Sequence, residues 1–390
     1  MALPGLSNLQ RGSIPTRSGW PIAVDFGTTA MRVLQLGPGE PPALVAAASV
    51  PTPDNLLYDP VKRTNYQLDR LPRVLKEGGF KGKRAVGVIP GDATFCKHLQ
   101  IGKIDGVKMK ELLAQAVPAE VGCPSASLVL RHIEVPDVEN GSGKSEVVCF
   151  ASPKDFVKRV MDGIKLGKAL PVGMHTPWTS LAKAVGDLHS ADASSDVTTL
   201  CLDIGWARTE VVVLHGRSIA FARSIEIGGR QLDEAVRAQL KLELTEARTY
   251  RLRLDKLCPD GDVSSADGEG MALLGAGVAQ ANKAIKAGGR EADLTEALEM
   301  LADEVRMCMR YHESLFPSRS VDRAVFVGGE SRHMALVGEL GKRLRVTTDI
   351  ADPMARIART GKEPMSGVDF NEPQPGWAVA VGACLCPTDL

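Results

Sequence analysis

A strand, an Asp-x-Gly corner and a second strand occur in that order twice in this sequence of 390 residues. In the first copy, residues 22–29 read IAVDFGTT, and the apolar stretch 31–36 follows. In the second copy, residues 200–206 read LCLDIGW, and the apolar run 211–214 follows Thr209. Each apolar run has the length and composition of a buried strand. Because the chain is too long for one ordinary hydrophobic core, we predict an α/β protein with two lobes.

The first corner carries groups that suit an anion and a hard cation. Gly27 lets backbone amides approach an anion closely, and Thr28 and Thr29 add hydroxyl donors. Asp25, at the end of the strand, can hold a water of Mg²⁺. The second copy offers corresponding groups: Asp203, Gly205 and Thr209. Two such hairpins that face each other would clamp a polyphosphate and its metal ion, with Asp25 and Asp203 on the metal.

A third motif occurs near the end of the chain, where residues 325–332 read VFVGGESR. The pattern predicts a strand, the glycine pair Gly328 and Gly329, and then Glu330 and Ser331 at the start of a helix. Such glycines allow the ring and the sugar of a nucleotide to lie against backbone at a helix N-terminus. A tight connection between a strand and a helix also favours glycine, so the motif alone has two interpretations.

Composition excludes several classes of function. Lys plus Arg and Asp plus Glu both number 47, so no net charge attracts nucleic acid, and aromatics at 4% argue against base stacking. The eight cysteines form no Cys-x-x-Cys pair, which is typical of a reducing compartment. Since no apolar stretch is long enough to span a bilayer, we expect a cytoplasmic protein that reaches a membrane only through a partner.

Hydrophobic periodicity and changes in composition divide the chain into predicted units. A strand-helix-strand-strand-helix module interrupts the first lobe, and a stretch rich in Gly, Ala, Ser and Asp at 260–289 is expected to be flexible. Helical spacing predicts helices at 68–76 and 294–316. The predicted units are a mobile tail (1–20), the first lobe (21–91, completed by about 352–390), an inserted small subdomain (92–170) and the second lobe (197–351).

The motifs, in this order, resemble the phosphate and adenosine loops of the actin-like ATPase superfamily. Within it the sequence is most similar to the PilM family of type IV pilus assembly proteins, which is related to FtsA. Residues 225–232, IEIGGRQL, resemble the Gly-Gly step of that family, and residues 378–383 resemble its closing helix. The resemblance implies a two-lobed actin-like ATPase fold with an inserted small α+β subdomain, and ATP with Mg²⁺ in the cleft between the lobes.

The sequence also departs from the family pattern. Trp206 and Arg208 stand in the second corner, where the family usually has small residues, so we expect less room for phosphate. The family helix that carries Glu and Lys toward the ribose matches residues 247–251. There Arg251 keeps the charge of the Lys, which implies a contact with the nucleotide, but Arg248 reverses the charge of the Glu. These departures predict weak or no ATP hydrolysis, and the sequence identifies no catalytic base.

For partners, the resemblance implies that the chain docks the N-terminal cytoplasmic peptide of a PilN-like inner-membrane protein. The protein would then lie at the inner face of that membrane. The sequence does not decide whether the protein also associates with itself. One alternative is an active ATPase or small-molecule kinase, for which Asp105, Asp137 and Asp155 are available as bases. Another is an FtsA-like cytoskeletal division protein, which the absence of a C-terminal amphipathic helix disfavours.

Overall fold

The computed structural model describes five stretches of the chain: residues 20–104, 106–135, 144–188, 197–258 and 292–386. The predicted flexible stretch at 260–289 and all but the last residue of the predicted tail at 1–20 lie outside them. The strands of the described residues are β1 (Ile22–Phe26), β2 (Ala30–Gly37), β3 (Ala43–Pro51), β4 (Arg84–Val88), β5 (Phe95–Gly102), β6 (Leu128–Glu134), β7 (Lys144–Pro153), β8 (Leu170–His175), β9 (Thr198–Ile204), β10 (Thr209–His215), β11 (Ser218–Ile225), β12 (Arg323–Val327), β13 (Thr347–Ile350) and β14 (Met365–Ser366).

Helices connect and cover these strands. The helices of the described residues are α1 (Pro60–Glu77), α2 (Met109–Val121), α3 (Lys154–Leu166), α4 (Pro177–Leu188), α5 (Gly229–Leu240), α6 (Leu244–Arg251), α7 (Thr295–Leu315), α8 (Met334–Leu344) and α9 (Ala378–Leu385). Helix α1 begins earlier than its apolar spacing predicts, because the Asp59 side chain accepts a hydrogen bond from the Lys62 amide and Pro60 suits the first helical position. Helix α7 lies where its spacing predicts.

Two sheets with the same internal arrangement form the two lobes. Their orders are β14-β3-β2-β1-β4-β8 in the first lobe and β11-β10-β9-β12-β13 in the second. In each sheet the central strand, β1 or β9, pairs antiparallel with the next strand and parallel with a later one. Asp25 lies opposite Arg32, and Asp203 lies opposite Glu210, in equivalent registers. The two copies of the repeat therefore occupy equivalent positions in the two lobes.

Helices α4 and α9 join the lobes at the base of the cleft. Helix α9 packs on β1, β2 and β4, helix α4 packs on β9 and β10, and the two helices pack on each other. A side chain at Gly382 would overlap the carbonyl of Ser180, so glycine permits this close approach. Helix α9 reads AVAVGACL and is apolar all round, which is typical of a helix buried on every side.

A small third sheet, of order β5-β7-β6, carries α2 and belongs to the inserted subdomain. Its strand β5 lies against β11 of the second lobe. At this contact the ring of His98 stacks on Phe221 with 5.8 Å between centroids and meets Tyr311 edge-on at 5.6 Å. The small subdomain therefore touches both lobes. The residue limits that we assign to the units remain a prediction.

Among the described residues, no helix combines the length and the apolar character that crossing a membrane requires.

Candidate functional site

A cavity of about 460 Å³ lies between the lobes, where the two repeated corners meet. Its volume falls in the range typical of small-molecule sites. Most of the sequence-predicted site residues line it: Asp25, Gly27, Thr28, Thr29, Asp203, Gly205, Gly328, Gly329 and Glu330. The tertiary structure therefore brings together three motifs that are far apart in the sequence.

Three other predicted site residues lie behind the cavity wall. The hydroxyl of Thr209 donates a 2.8 Å hydrogen bond to the carbonyl of Ile227, which ties β10 to the start of α5. The hydroxyl of Ser331 is buried and donates to the carbonyl of Val327. Arg251 is fully buried in ion pairs. None of these three residues lines the cavity, and their part in a nucleotide site stays a prediction.

In the first corner the carboxylate of Asp25 lies 3.8 Å from the guanidinium of Arg32 on the neighbouring strand. Burial raises the pKa of Asp25 to about 6, and the nearby Arg32 charge opposes that shift. A Cβ atom at Gly27 would come within 2.8 Å of the Ala30 carbonyl, so this turn closes too tightly for a side chain. The corner thus presents backbone and a carboxylate that is poorly solvated.

The second corner presents an equivalent carboxylate. Burial and, to a smaller extent, the charge of Asp25 raise the pKa of Asp203 to about 7, against the lowering effect of Arg32. Gly328 has a φ of 96°, and a side chain there would overlap the Asp203 carboxylate. Two desolvated carboxylates that repel each other are stabilised by a cation between them, and oxygen ligands suit Mg²⁺. The donor set therefore fits a magnesium ion held by Asp25 and Asp203.

Glu210 is a further acidic residue in this cavity, and the sequence analysis missed it. Burial raises its pKa to about 8, against the lowering effect of Arg208. Its Oε2 atom has no hydrogen-bond partner among the described residues, and a side chain at Gly91 of the first lobe would overlap its carboxyl group. The antiparallel pairing of the predicted strands could have identified Glu210, because a residue directly opposite Asp203 on β10 must point to the same face of the sheet.

Of the three aspartates that we considered as alternative bases, the structure describes only Asp155. Asp155 is exposed in the first turn of α3, away from the cavity lining. Asp105 and Asp137 lie outside the described residues. Glu210 lines the cavity and its carboxyl group has a raised pKa, and both properties suit a general acid or base.

Trp206 lines the cavity and is 2% exposed. Its indole N–H donates a 2.7 Å hydrogen bond to Asp233 in α5. Its backbone carbonyl accepts a 2.7 Å hydrogen bond from the Arg230 amide, and the Gly205 carbonyl accepts from Gly229. The corner is therefore anchored on the first turn of α5.

Arg208 is also engaged within the second lobe. Its guanidinium donates to Glu226 at 3.1 Å and approaches Ser224 at 3.5 Å. Although Arg208 lines the cavity, part of its charge is already matched. Since Trp206 and Arg208 both line the cavity, the expectation that they leave less room for phosphate stays a prediction.

Behind the corner, Arg251 joins two acids in a buried network. Its Nε lies 2.6 Å from Asp233 Oδ1, and its Nη2 lies 2.8 Å from Glu330 Oε2. The Glu330 carboxylate also packs against Gly229 at the N-terminus of α5, where the helix dipole favours negative charge. The single positive charge of Arg251 is therefore shared between Glu330 and Asp233.

Two contacts cross from the segment before α1 in the first lobe to α5 and α6 in the second, and we call them the clasp. The hydroxyl of Tyr58 donates a 3.1 Å hydrogen bond to Glu234, and the hydroxyl of Thr245 donates a 2.8 Å bond to Asp54. The Tyr58 ring also meets Trp206 edge-on at 5.2 Å. The clasp thus joins the lobes beside the second corner.

Comparison with solved structures identifies the fold. A chain from the "PilM-PilN type IV pilus biogenesis complex" superimposes with a TM-score of 0.70 at 20% identity, covering 95% of this chain and 98% of that one. The chain has the two-lobed actin-like ATPase fold. The expected fold class, with its inserted small α+β subdomain, is therefore confirmed.

More distant likenesses extend over a similar share of the chain. MreB5 of Spiroplasma citri bound to ADP gives a TM-score of 0.49 at 13% identity, covering 95% of this chain and 96% of that one. The ethanolamine utilization protein EutJ from Carboxydothermus hydrogenoformans gives 0.45 at 12% identity, with 95% and 91% covered. No protein-family model matches the sequence.

Proposed function

We propose that this protein is a nucleotide-binding scaffold of a type IV pilus or related secretion apparatus. It binds ATP with Mg²⁺ in the cleft, hydrolyses it weakly or not at all, and docks the N-terminal cytoplasmic peptide of a PilN-like inner-membrane protein. Through that partner it lies at the inner face of the membrane. The observation that carries the nucleotide part is the facing pair Asp25 and Asp203, both desolvated, on glycine corners of two equivalent hairpins.

The scaffold part is supported by likeness across nearly the whole chain to a chain of the PilM-PilN complex. Fold by itself does not assign function, so a direct binding test is required. The probe is the labelled N-terminal peptide of the PilN-like protein encoded in the same genome, titrated with the purified protein and followed by fluorescence anisotropy. We expect saturable binding, and none by a scrambled peptide. Equal binding of both peptides, or no binding of either, would contradict the docking role.

The nucleotide part is tested by thermal unfolding with and without Mg-ATP. A ligand that binds only the folded state at a hundredfold excess over its Kd adds ~2.7 kcal/mol of stability. We expect a rise in Tm for the wild type and none for Asp25→Asn. A Tm that does not respond to Mg-ATP at millimolar concentration would refute nucleotide binding.

Glu210 favours a second candidate function, that of an active ATPase. A carboxyl group with a pKa of about 8 beside the metal-binding pair can exchange a proton with an attacking water at neutral pH. Phosphate release at roughly one per second or faster, the rate typical of kinases, would favour an enzyme over a scaffold.

A further inference from the structure

The surface that α1, α3 and the turns after them form on the first lobe carries an uneven share of charge. Residues 60–84 and 154–170 together contain thirteen Lys and Arg but four Asp and Glu, although the whole chain has a formal net charge of zero. Ten of the thirteen basic residues are exposed. A chain that is neutral as a whole therefore has one strongly basic face, which attracts anions locally.

Helices α1 and α3 bring the C-terminal part of this face together. A side chain at Gly163 would overlap Leu68, and one at Gly167 would overlap Leu75. The two helices therefore pack side by side and run in the same direction. Their last turns end at the same corner of the first lobe.

We call this region the basic corner and define it by five lysines and two leucines: Lys76, Lys81, Lys83, Lys165, Lys168, Leu166 and Leu170. The Leu170 amide donates a hydrogen bond to the Lys83 carbonyl, and both backbone groups of Lys81 bond to the Gln35 side chain. Leu166 is 74% exposed, the highest value of any large apolar side chain in the described ranges, and Leu170 is 57% exposed. The corner is thus fixed by its backbone and presents apolar surface among positive charges.

The acids of this face leave most of the lysine charge unmatched. Glu77 pairs with Arg73 at 2.9 Å, and Asp162 pairs with Lys165 at 3.1 Å. The other two acids lie more than two turns before the C-termini of their helices. Within the described ranges, ion pairs are absent at four of the five lysines: Lys76, Lys81, Lys83 and Lys168.

Two further acids lie on turns of the same lobe. Glu363 precedes Pro364, which a side chain at Gly79 would overlap, and its carboxylate accepts hydrogen bonds from the amides of Thr360 and Gly361 in its own turn. Glu40 lies in the turn between β2 and β3, on the other side of β1 from β4 and β8. Neither acid has an ion pair with a lysine of the basic corner among the described residues.

Lysines around exposed leucines suit the surface of an anionic membrane. Acidic phospholipid headgroups attract basic side chains, and apolar side chains gain by entering the boundary between headgroups and acyl chains. A nucleic acid would gain from the lysines but not from Leu166 and Leu170. Residues 1–19 contain two arginines and no acid, so their charge does not complement the corner.

We propose that the basic corner binds an anionic phospholipid surface directly. This goes beyond the proposed docking of a partner's peptide, and it departs from the expectation that the protein reaches a membrane only through that partner. Strand β4 begins at the corner and runs parallel to β1, at whose far end Asp25 lies. The corner is therefore at the opposite edge of the sheet from the cleft, and lipid and nucleotide use separate surfaces.

The test is co-sedimentation of the purified protein with two kinds of vesicle, phosphatidylcholine alone and phosphatidylcholine mixed with phosphatidylglycerol. Each lysine near an acidic membrane raises affinity about fivefold. We expect the wild type to bind the mixed vesicles at least tenfold more tightly, and high salt to weaken this binding by screening. Lys81→Glu combined with Lys83→Glu should remove the preference. Leu166→Ser should weaken binding severalfold and keep the preference for mixed vesicles.

Matched controls change equal features elsewhere on the surface. Arg253→Glu combined with Arg310→Glu makes the same charge change at two exposed arginines of the second lobe. Met334→Ser removes an apolar side chain that is 64% exposed at the start of α8. Both controls should bind the mixed vesicles as the wild type does. Thermal unfolding of each variant establishes that it is folded before its affinity is compared.

No binding to the mixed vesicles, or equal binding to both kinds, would overturn the proposal. An equal loss in the arginine control and in the lysine variant would also overturn it, since net charge alone would then govern binding. Binding of a DNA duplex that the lysine variant abolishes, without binding to vesicles, would assign the corner to nucleic acid instead. Because the vesicles carry no partner peptide, each of these failures leaves the proposed docking role intact.

Discussion

The indole N–H of Trp206 donates a hydrogen bond of 2.7 Å to Oδ2 of Asp233, whose other carboxylate oxygen lies 2.6 Å from Arg251. This bond connects a corner of the cleft to the buried charges behind it. Because Arg251 also pairs with Glu330, a continuous chain of polar contacts runs from Trp206 to Glu330, and both residues line the cavity. Trp206, which the sequence led us to expect as a steric obstacle to phosphate, therefore also has a structural role: it connects the corner to the buried ion pairs of the second lobe.

Replacing Trp206 with Phe should destabilise the protein. The ring is largely kept, but Asp233 loses a donor in a buried site, which costs about 1–3 kcal/mol in the free energy of unfolding. Urea unfolding followed by far-UV circular dichroism measures the change. Trp20→Phe serves as control, because the hydrogen bond recorded at Trp20 uses its backbone carbonyl. Equal stability of Trp206→Phe and the wild type would show that this structural role is unimportant.

Replacing Asp203 with Asn should stabilise the ligand-free protein at high pH. Burial raises the pKa of Asp203 from 3.8 to about 7, so the folded state binds this proton more tightly than the unfolded state. Its contribution to stability is therefore present below pH 3.8 and is lost as the pH rises through 7. Since the site is partly open to solvent, we expect a gain of about 1–3 kcal/mol at pH 8 and almost none at pH 4.

Thermal unfolding across this pH range, without divalent ions, measures the difference between Asp203→Asn and the wild type. The exposed Asp349→Asn is the matched control and should show no such trend. With Mg-ATP present, the wild type should be the more stable of the two proteins, because Asp203→Asn lacks a metal ligand. A variant that is less stable than the wild type at pH 8 without ligand would contradict the prediction.

Replacing Glu210 with Gln should separate hydrolysis from binding. The wild type should turn over Mg-ATP at well below about one per second, and the variant should lose at least tenfold of that rate because the amide cannot accept a proton. Binding of Mg-ATP should persist, since Glu210 lies opposite Asp203 and is not assigned to the metal. Phosphate release and calorimetry measure the two effects. An unchanged rate in Glu210→Gln would exclude this residue from the chemistry.

Replacing Tyr58 with Phe should loosen the clasp without unfolding the protein. The substitution removes the hydrogen bond to Glu234 and keeps the ring against Trp206, so the free energy of unfolding should change by less than about 1 kcal/mol. We expect a severalfold faster dissociation of a fluorescent nucleotide in stopped-flow experiments. Tyr66→Phe is the control, since that ring contacts Arg70 within α1 and takes no part in the clasp. Identical dissociation rates would show that the clasp does not gate the cleft.

Local patterns in the sequence were sufficient to predict the strands and turns that carry the candidate site. The apolar runs around Asp25 and Asp203 form β1, β2, β9 and β10, and the Gly328-Gly329 step follows β12, because strand periodicity and glycine corners are local properties. Strand β3 went unrecognised, since its run ALVAAASVP consists mainly of small residues, and its place is decided by antiparallel pairing with β2.

By itself, the sequence determined the repeat, the two lobes and the residue types of a phosphate and metal clamp, because these follow from periodicity and from the chemistry of short motifs. Only the tertiary structure decided which side chains face the cleft. It brought Glu210 to the cavity through its register with Asp203. It also joined Trp206, which lines the cavity, and Arg251, which does not, in a buried network through Asp233. The reason is physical: which face a strand residue takes, and which buried charge finds a partner, depends on elements distant in sequence.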